Sequence, residues 1–309
     1  MKDSIFDGYP SDGRVYLVRM LSAGRGFYVC DEQPIYAAKV GESARCNSAV
    51  ETECLQLRLG VRLKTIDGCS RSKTQRFDMI RLIDFRNDQE LTAFVDLCSM
   101  HAEGSTTLTF EELFYSLGDL FRPLRSQRFI NGMGLYGELA IIDFARMLKP
   151  GIDASRYWQL AGEKSKYDFA FCCGNIEVKS ASAQKLNVHV KHSQLFNEDT
   201  NYLVVVLLER APNGESLDVL ASRLIECGDC FTDFRSQAEL TKQLLRVDEK
   251  GRNTPYLVRG IRCYFAEDIN CFGEVPDRIS DLAYRLDLVD LHCEGLAEVI
   301  AKVLPVNAV

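Results

Sequence analysis

The sequence predicts an α/β protein (α+β overall) with more than one domain. Its first 85 residues are mostly strand-like, residues 88–123 have helical spacing, and the rest of the chain mixes helices with strands. The chain has 309 residues, which is about twice the usual size of a domain. A composition of 46% hydrophobic and 26% charged residues is typical of globular proteins and excludes a largely disordered chain.

An N-terminal β-rich domain is predicted over residues 1–125. Thr109 and Glu112 fit a capping box, which marks the start of the second of two helices that close this domain. Segments rich in β-branched and aromatic residues predict strands at 14–20, 26–40, 52–66 and 76–84, and helical spacing predicts the helices at 88–103 and 109–123.

The second predicted domain, residues 126–215, begins with a helix that ends before Pro150 and Gly151. Gly174-Asn175 is a hairpin turn signal between two strands. The predicted elements are the helix 135–148, strands at 166–171, 175–182 and 186–190, a short helical stretch from His192, and a buried strand at 202–210.

Residues 216–309 are predicted to form a C-terminal α/β module. Helices are expected at 216–226, 236–247 and 295–304, and strands near 256–265 and 280–291. Cys227 and Cys230 are close in sequence, but a zinc site needs about four ligands and no histidine is near them in the chain. We interpret this segment as a turn between two helices, with a metal site as the alternative.

Composition also bears on location and partners. No apolar run approaches the roughly 20 residues of a membrane helix, and the N-terminus does not follow a secretory signal pattern. We therefore expect a cytoplasmic protein with no membrane partner and with reduced cysteines. A net charge of −7 is unfavourable for binding nucleic acid, but residues 120–200 carry 11 Lys and Arg against 8 Asp and Glu.

Three charged residues lie on two neighbouring predicted strands. Asp168 stands at the start of one strand, and Glu177 and Lys179 share a face of the next because they are two residues apart. A hairpin would allow Asp168 to approach Glu177, although the sequence leaves the register open. Carboxylates are good Mg²⁺ ligands, a bound metal activates water and polarises phosphate, and a lysine offsets developing negative charge. The pattern predicts metal-assisted phosphodiester hydrolysis.

The order Asp168, eight residues, then Glu177-Val178-Lys179 resembles the motif of the PD-(D/E)XK nuclease superfamily. Tyr167 stands where the nominal motif has proline, a substitution common in that superfamily. The closer resemblance is to a bacterial family of PD-(D/E)XK motif proteins that is often encoded near anti-phage restriction systems. The segments that carry it are 134–148, Trp158 with Gly162, 167–171, 176–182, 189–195 and 275–288.

This resemblance implies a restriction-endonuclease-like core and assigns roles to five residues. Asp168 and Glu177 correspond to the metal ligands, and Lys179 corresponds to the catalytic lysine. Glu138 is a further acidic residue that faces the metal, and Gln194 supports the lysine or contacts the phosphate backbone. The implied cofactor is Mg²⁺ or Mn²⁺.

Structural roles are the alternative for these residues. Glu138 could be a solvated helix residue, Asp168 could cap a turn, and Glu177 with Lys179 could be an exposed cross-strand charge pair. Apolar residues on the other strand face argue against exposure, because charged groups in central strands need a metal or a polar network. These apolar residues are Phe169, Phe171, Ile176 and Val178.

Other polar and aromatic residues are interpreted with the same alternatives. Trp158 is expected to pack in the core rather than stack on a base, and His189 and His192 are expected to satisfy polar groups rather than act as bases. Five basic residues are expected to contact phosphates, with a solvated linker as the alternative for the arginines. They are Arg122, Arg125, Arg128, Lys185 and Lys191.

The sequence therefore favours a metal-dependent endonuclease that cuts DNA in a bacterial restriction or anti-phage system. One alternative is a non-cutting subunit of nuclease fold that binds DNA or other subunits of a defence complex, which the net negative charge favours. A phosphatase or small-molecule hydrolase on the same core is a third class. A homodimer is left open.

Overall fold

The computed structural model describes residues 5–304 with the exception of 23, 42–48, 86–87, 105, 122–129, 159–166, 196–199 and 270–281. The chain forms two compact units. One comprises Met1–Gln127 with Asp233–Leu245, and the other comprises Arg128–Thr232 with Arg246–Val309. The three-domain division drawn from the sequence has different boundaries and stays a prediction.

The described residues of the first unit form a six-stranded sheet and three helices. Its strand order is β1-β2-β3-β6-β5-β4, and a short parallel pairing of β1 with β5 links two strands that are otherwise far apart in this order. The strands are β1 (Val15–Ser22), β2 (Arg25–Cys30), β3 (Gln33–Lys39), β4 (Ala49–Glu51), β5 (Leu55–Ile66) and β6 (Ser72–Leu82), and the helices are α1 (Asp88–Ala102), α2 (Phe110–Phe121) and α5 (Phe234–Leu245).

Local sequence explains several boundaries in this unit. The predicted strand 26–40 is divided into β2 and β3 by a tight turn in which Asp31 and Glu32 have φ angles of 49° and 64°. The capping box at α2 is present: the Thr109 N–H donates to Glu112 Oε2 at 2.8 Å, and the Glu112 N–H donates to Thr109 Oγ1 at 3.2 Å. Apolar faces of α1 and α2 bury Phe94, Leu113 and other residues in one core with the strands.

The second unit is built on a four-stranded sheet and a two-stranded ribbon. Its helices are α3 (Gly132–Leu148), α4 (Leu217–Glu226), α6 (Glu249–Asn253) and α7 (Leu296–Val303). The strands are β7 (Phe169–Phe171), β8 (Gly174–Ser182), β9 (Asn187–Lys191), β10 (Asn201–Glu215), β11 (Tyr256–Phe265) and β12 (Ala283–Asp287). A one-turn 3-10 helix, His192–Gln194, follows β9 directly.

The four-stranded sheet places β8 at its centre, in the order β11-β10-β8-β7. Strands β8 and β10 run parallel, whereas β7 and β11 pair antiparallel with β8 and β10 respectively. Helix α3 packs on β8, and the β9–β12 ribbon shares a hydrophobic core with β8, β10 and β11. The fold is therefore α+β, with β8, which carries Glu177 and Lys179, inside the sheet and β7 at its edge.

Most predicted elements exist, and the differences are local. The turn of the β7–β8 hairpin is Cys172-Cys173, so the expected turn at Gly174-Asn175 is wrong by two residues. A Cβ at Gly174 would lie 3.0 Å from the Thr200 carbonyl oxygen and 3.1 Å from Val303 Cγ1, so this glycine serves close packing rather than the turn. The Cys227–Cys230 segment is a turn after α4, as expected.

Candidate active site

Helix α3 brings Glu138 toward β8. Asn131 caps its start by accepting the Met133 N–H at 3.1 Å, and Leu139, Ile141 and Ile142 are buried. At Gly137 the helix approaches so closely that a Cβ would collide with the Ser180 hydroxyl of β8. The glycine beside Glu138 therefore sets a short distance between this helix and the strand that carries Glu177.

The β7–β8 hairpin places Asp168 on the same face as Glu177. Phe169 is paired with Ile176, so Asp168, one residue earlier, lies across from Glu177, one residue later. The Asp168 carboxylate accepts the Val178 N–H through Oδ2 at 2.7 Å, which fixes this side chain against β8. The hairpin that the sequence predicts is therefore present, and it holds Asp168 against β8 beside Glu177.

Glu177 is the most enclosed of the site residues, with 1% of its surface exposed. Its Oε1 atom accepts hydrogen bonds from Lys179 Nζ and from Gln194 Nε2, the latter at 2.7 Å. Within the described residues Oε2 is buried and has no hydrogen-bond partner. A buried carboxylate oxygen without a donor is costly, so this atom is available to a ligand that supplies positive charge.

Trp158 forms a hydrogen bond with Glu138. The indole Nε1–H donates to Glu138 Oε2 at 2.8 Å, and the backbone of Trp158 forms a bridge with Phe169. The ring is buried and meets Phe231 edge-on, with centroids 6.0 Å apart. The expected core packing is confirmed, and the indole also touches the candidate site, which the sequence did not predict.

The three carboxyl groups share an environment that favours their protonated forms. Burial, and next the charge of Asp168, raise the pKa of Glu138 to about 8, against the lowering effect of the Trp158 N–H. Burial and Asp168 also raise the pKa of Glu177 to about 7, while Lys179 and Gln194 oppose this. Burial raises the pKa of Asp168, and the Val178 N–H opposes this shift. The charge of Asp168 acts on both glutamates, so the groups are electrostatically coupled.

The donor set fits a divalent cation. Mg²⁺ is usually held by one or two carboxylates together with water, and Asp168 and Glu177 offer two on one face. Among the residues that the structure describes, no three His, Cys, Asp or Glu side chains approach closely enough to hold an ion together. The unpartnered Glu177 Oε2 and the raised carboxyl pKa values are the features that a bound cation would relieve. Assignment of Glu138, Asp168 and Glu177 as ligands stays a prediction.

Predicted residues away from this centre fall into three groups: exposed residues, one half-buried histidine, and arginines that the structure does not describe. Lys185 and Lys191 are exposed near and on β9, and His189 is exposed between them. His192 is half-buried, with Nδ1 at 3.3 Å from the Tyr284 hydroxyl, in line with a polar rather than a basic role. Arg122, Arg125 and Arg128 lie outside the described residues.

The fold and the arrangement of these residues define a member of the PD-(D/E)XK superfamily, whose common core is nuclease-like. The chain belongs to the family described as "Putative PD-(D/E)XK family member" (DUF4420), whose model matches residues 35–289. No curated protein and no solved structure shows significant similarity to the chain. The match confirms the superfamily resemblance read from Asp168, Glu177 and Lys179. Among the described helices, none has the length and apolar character needed to cross a membrane.

Proposed function

We propose that this protein is a metal-dependent endonuclease that hydrolyses DNA phosphodiester bonds. The observation that carries the proposal is the placement of Asp168 and Glu177 on one face of the β7–β8 hairpin, beside Lys179, with Glu177 Oε2 lacking a partner among the described residues. Superfamily membership supports the same chemistry. A cytoplasmic role in a bacterial restriction or anti-phage system is part of the proposal and rests on the sequence resemblance.

Each residue has a role that follows from its contacts. Asp168 and Glu177 would hold Mg²⁺ or Mn²⁺, which when bound polarises the scissile phosphate and lowers the pKa of water. Lys179 places an ammonium group beside Glu177, where it can offset negative charge that develops on the phosphate. Gln194 donates to Oε1 of Glu177 and so holds this carboxylate, which leaves Oε2 for a metal ion.

Glu138 adds a third carboxyl group to the site, and Trp158 holds it by a hydrogen bond. Because its pKa is raised to about 8, Glu138 can exchange a proton near neutral pH, either with water or with the leaving group. The Trp158 N–H fixes one oxygen of this carboxyl and leaves the other for such an exchange.

Plasmid nicking tests the proposal. Purified protein should convert supercoiled plasmid to open circles in Mg²⁺ or Mn²⁺ but not in EDTA, and both Asp168→Ala and Lys179→Ala should lower the rate by at least about 100-fold. Glu249→Ala, which removes an exposed carboxylate on α6, is the matched control and should cut normally. Equal nicking by the Asp168→Ala protein would place the active site elsewhere.

A second candidate is a non-cutting subunit that binds DNA or other defence proteins. The overall charge of −7 favours it, since an acidic protein approaches DNA poorly unless its basic groups are segregated. A protein that binds duplex DNA but does not nick plasmid with either metal would support this candidate over the nuclease.

A further inference from the structure

The β9–β12 ribbon presents a basic face that the proposed cleavage chemistry does not use. Residues of β9 alternate between buried Val188 and Val190 and exposed His189 and Lys191, so the exposed pair points away from the core. On β12, Arg285 is exposed directly across from His189. One outward face therefore carries residues from both strands.

The exposed face of this ribbon carries two cations, Lys191 and Arg285, and one acid, Asp287. Arg285 lies one pair away from Lys191 on the diagonal, a separation of about 7–8 Å in antiparallel sheets. In the described part of the chain neither side chain forms an ion pair, and Lys185 adds a further exposed cation just before β9. The acidic residue on this face, Asp287, pairs with Asn187, so it lies two residues from Arg285 on the same strand and at the opposite end of the ribbon from Lys191. Two cations against one acid leave this face net positive, in a chain whose net charge is −7.

The ribbon is joined to the candidate active site through one side chain. The Lys191 backbone N–H donates to Gln194 Oε1 at 3.0 Å, and Gln194 Nε2 donates to Glu177 Oε1 at 2.7 Å. Gln194 therefore spans from the end of the ribbon to the buried carboxylate. The Lys191 end of the ribbon is therefore next to the candidate active site.

We propose that the outward face of the β9–β12 ribbon, formed by His189, Lys191 and Arg285, binds the phosphodiester backbone of duplex DNA and leads it to Glu177. This inference rests on the proposed function for its choice of ligand. Phosphate recognition relies on exposed Lys and Arg, and β-ribbons are suited to lie against a duplex. Such contacts position the duplex and carry no sequence information, so the ribbon should bind all sequences alike.

Salt-dependent binding tests the inference without cleavage. Anisotropy of a labelled duplex of mixed sequence, measured in EDTA over a range of NaCl concentrations, gives the slope of log affinity against log salt. Each lost phosphate contact should reduce this slope by about 0.9, so the double variant Lys191→Ala/Arg285→Ala should reduce it by about 1.8 and weaken low-salt binding by roughly tenfold. Lys250→Ala on α6 removes an equally exposed cation and should change neither quantity.

A second double variant shows whether any loss of binding is caused by misfolding of the alanine variant. Lys191→Gln/Arg285→Gln keeps long polar side chains on the ribbon, and its circular dichroism and melting curve should match those of the parent protein. Unchanged slope and affinity in a folded double variant would overturn the inference, as would failure of the parent protein to bind duplex DNA or binding of RNA alone.

Plasmid nicking separates this inference from the proposed function. Nicking by the parent protein together with an unaffected salt slope in the double variant would reject the ribbon and leave the nuclease in place. A reduced slope in the double variant together with no nicking by the parent protein would reject the nuclease and leave the ribbon as a DNA-binding surface.

Discussion

Trp158 has a role at the candidate site that its sequence interpretation does not include. Its indole was expected to pack in the core, and it does, but its N–H also holds Glu138 at 2.8 Å. Trp158→Phe keeps an aromatic ring and removes the donor. We expect this variant to bind Mn²⁺ about tenfold more weakly in calorimetric titration, because the Glu138 carboxylate loses both orientation and stabilisation of its charged form.

Tyr157→Phe is the matched control for this prediction. It removes a polar atom from the neighbouring residue, whose hydroxyl has no hydrogen-bond partner in the described part of the chain, and whose ring packs on Phe171. The control should bind Mn²⁺ as the parent does. Normal metal affinity in Trp158→Phe would mean that the indole contributes packing alone.

Residue spacing predicts which charged residues share the site, but it does not predict which side chains hold them in place. The two-residue interval of Glu177 and Lys179 fixes their common face, and this holds in β8. No periodic pattern predicts that Trp158, ten residues before Asp168, donates a hydrogen bond to Glu138 on a helix. This contact depends on the path of the chain between the helix and the sheet. Hydrogen-bond partners of this kind are determined by tertiary structure.

At the scale of elements, the approach of α3 to β8 is the feature that builds the site. Gly137→Ala would place a methyl group against the Ser180 hydroxyl, which is buried and has no hydrogen-bond partner among the described residues. We expect a loss of about 1–3 kcal/mol in the free energy of unfolding, because the helix must move away from the strand. Urea denaturation measures this change, and plasmid nicking should fall with it because Glu138 moves too.

Gly134→Ala provides the internal comparison on the same helix. A Cβ at Gly134 meets no atom within 4 Å, so alanine there adds helix propensity without a collision. We expect its free energy of unfolding to be equal to or higher than that of the parent by up to about 1 kcal/mol. Similar destabilisation by both substitutions would show that helix geometry, and not contact with Ser180, is responsible.

Element prediction succeeded where patterns are long and failed where they are short or nonlocal. Helix α3 and strand β10 follow clear apolar patterns, whereas β4 and α6 span three and five residues and leave almost no periodic signal. The hairpin turn was misplaced because Gly174 signals a turn by its type, yet is needed for close packing on Thr200 and Val303. Nothing in the local sequence of α5 indicates that it joins the first unit.

At the scale of the whole molecule, the buried carboxyls couple stability to pH. A carboxyl whose pKa is higher in the folded than in the unfolded chain binds its proton more tightly when folded. Stability from this source is therefore complete below the ordinary glutamate pKa and is lost as the pH rises through the folded values, about 7 for Glu177 and about 8 for Glu138. In EDTA, the unit that contains the site should be less stable at pH 8.5 than at pH 5.

Glu138→Gln tests this coupling and links it to the metal. Glutamine cannot ionise, yet it can still accept the Trp158 N–H, so the stability lost between pH 5 and pH 8.5 should shrink by on the order of 1–3 kcal/mol in urea titrations. Mn²⁺ should stabilise the parent protein more at pH 8.5 than at pH 5, because protons and the cation compete for the same carboxylates. Glu249→Gln, at an exposed position on α6, should keep the pH dependence of the parent. A pH dependence in Glu138→Gln identical to that of the parent would show that Glu138 is ionised at no cost, and that the acidic centre is open to solvent rather than held ready for a cation.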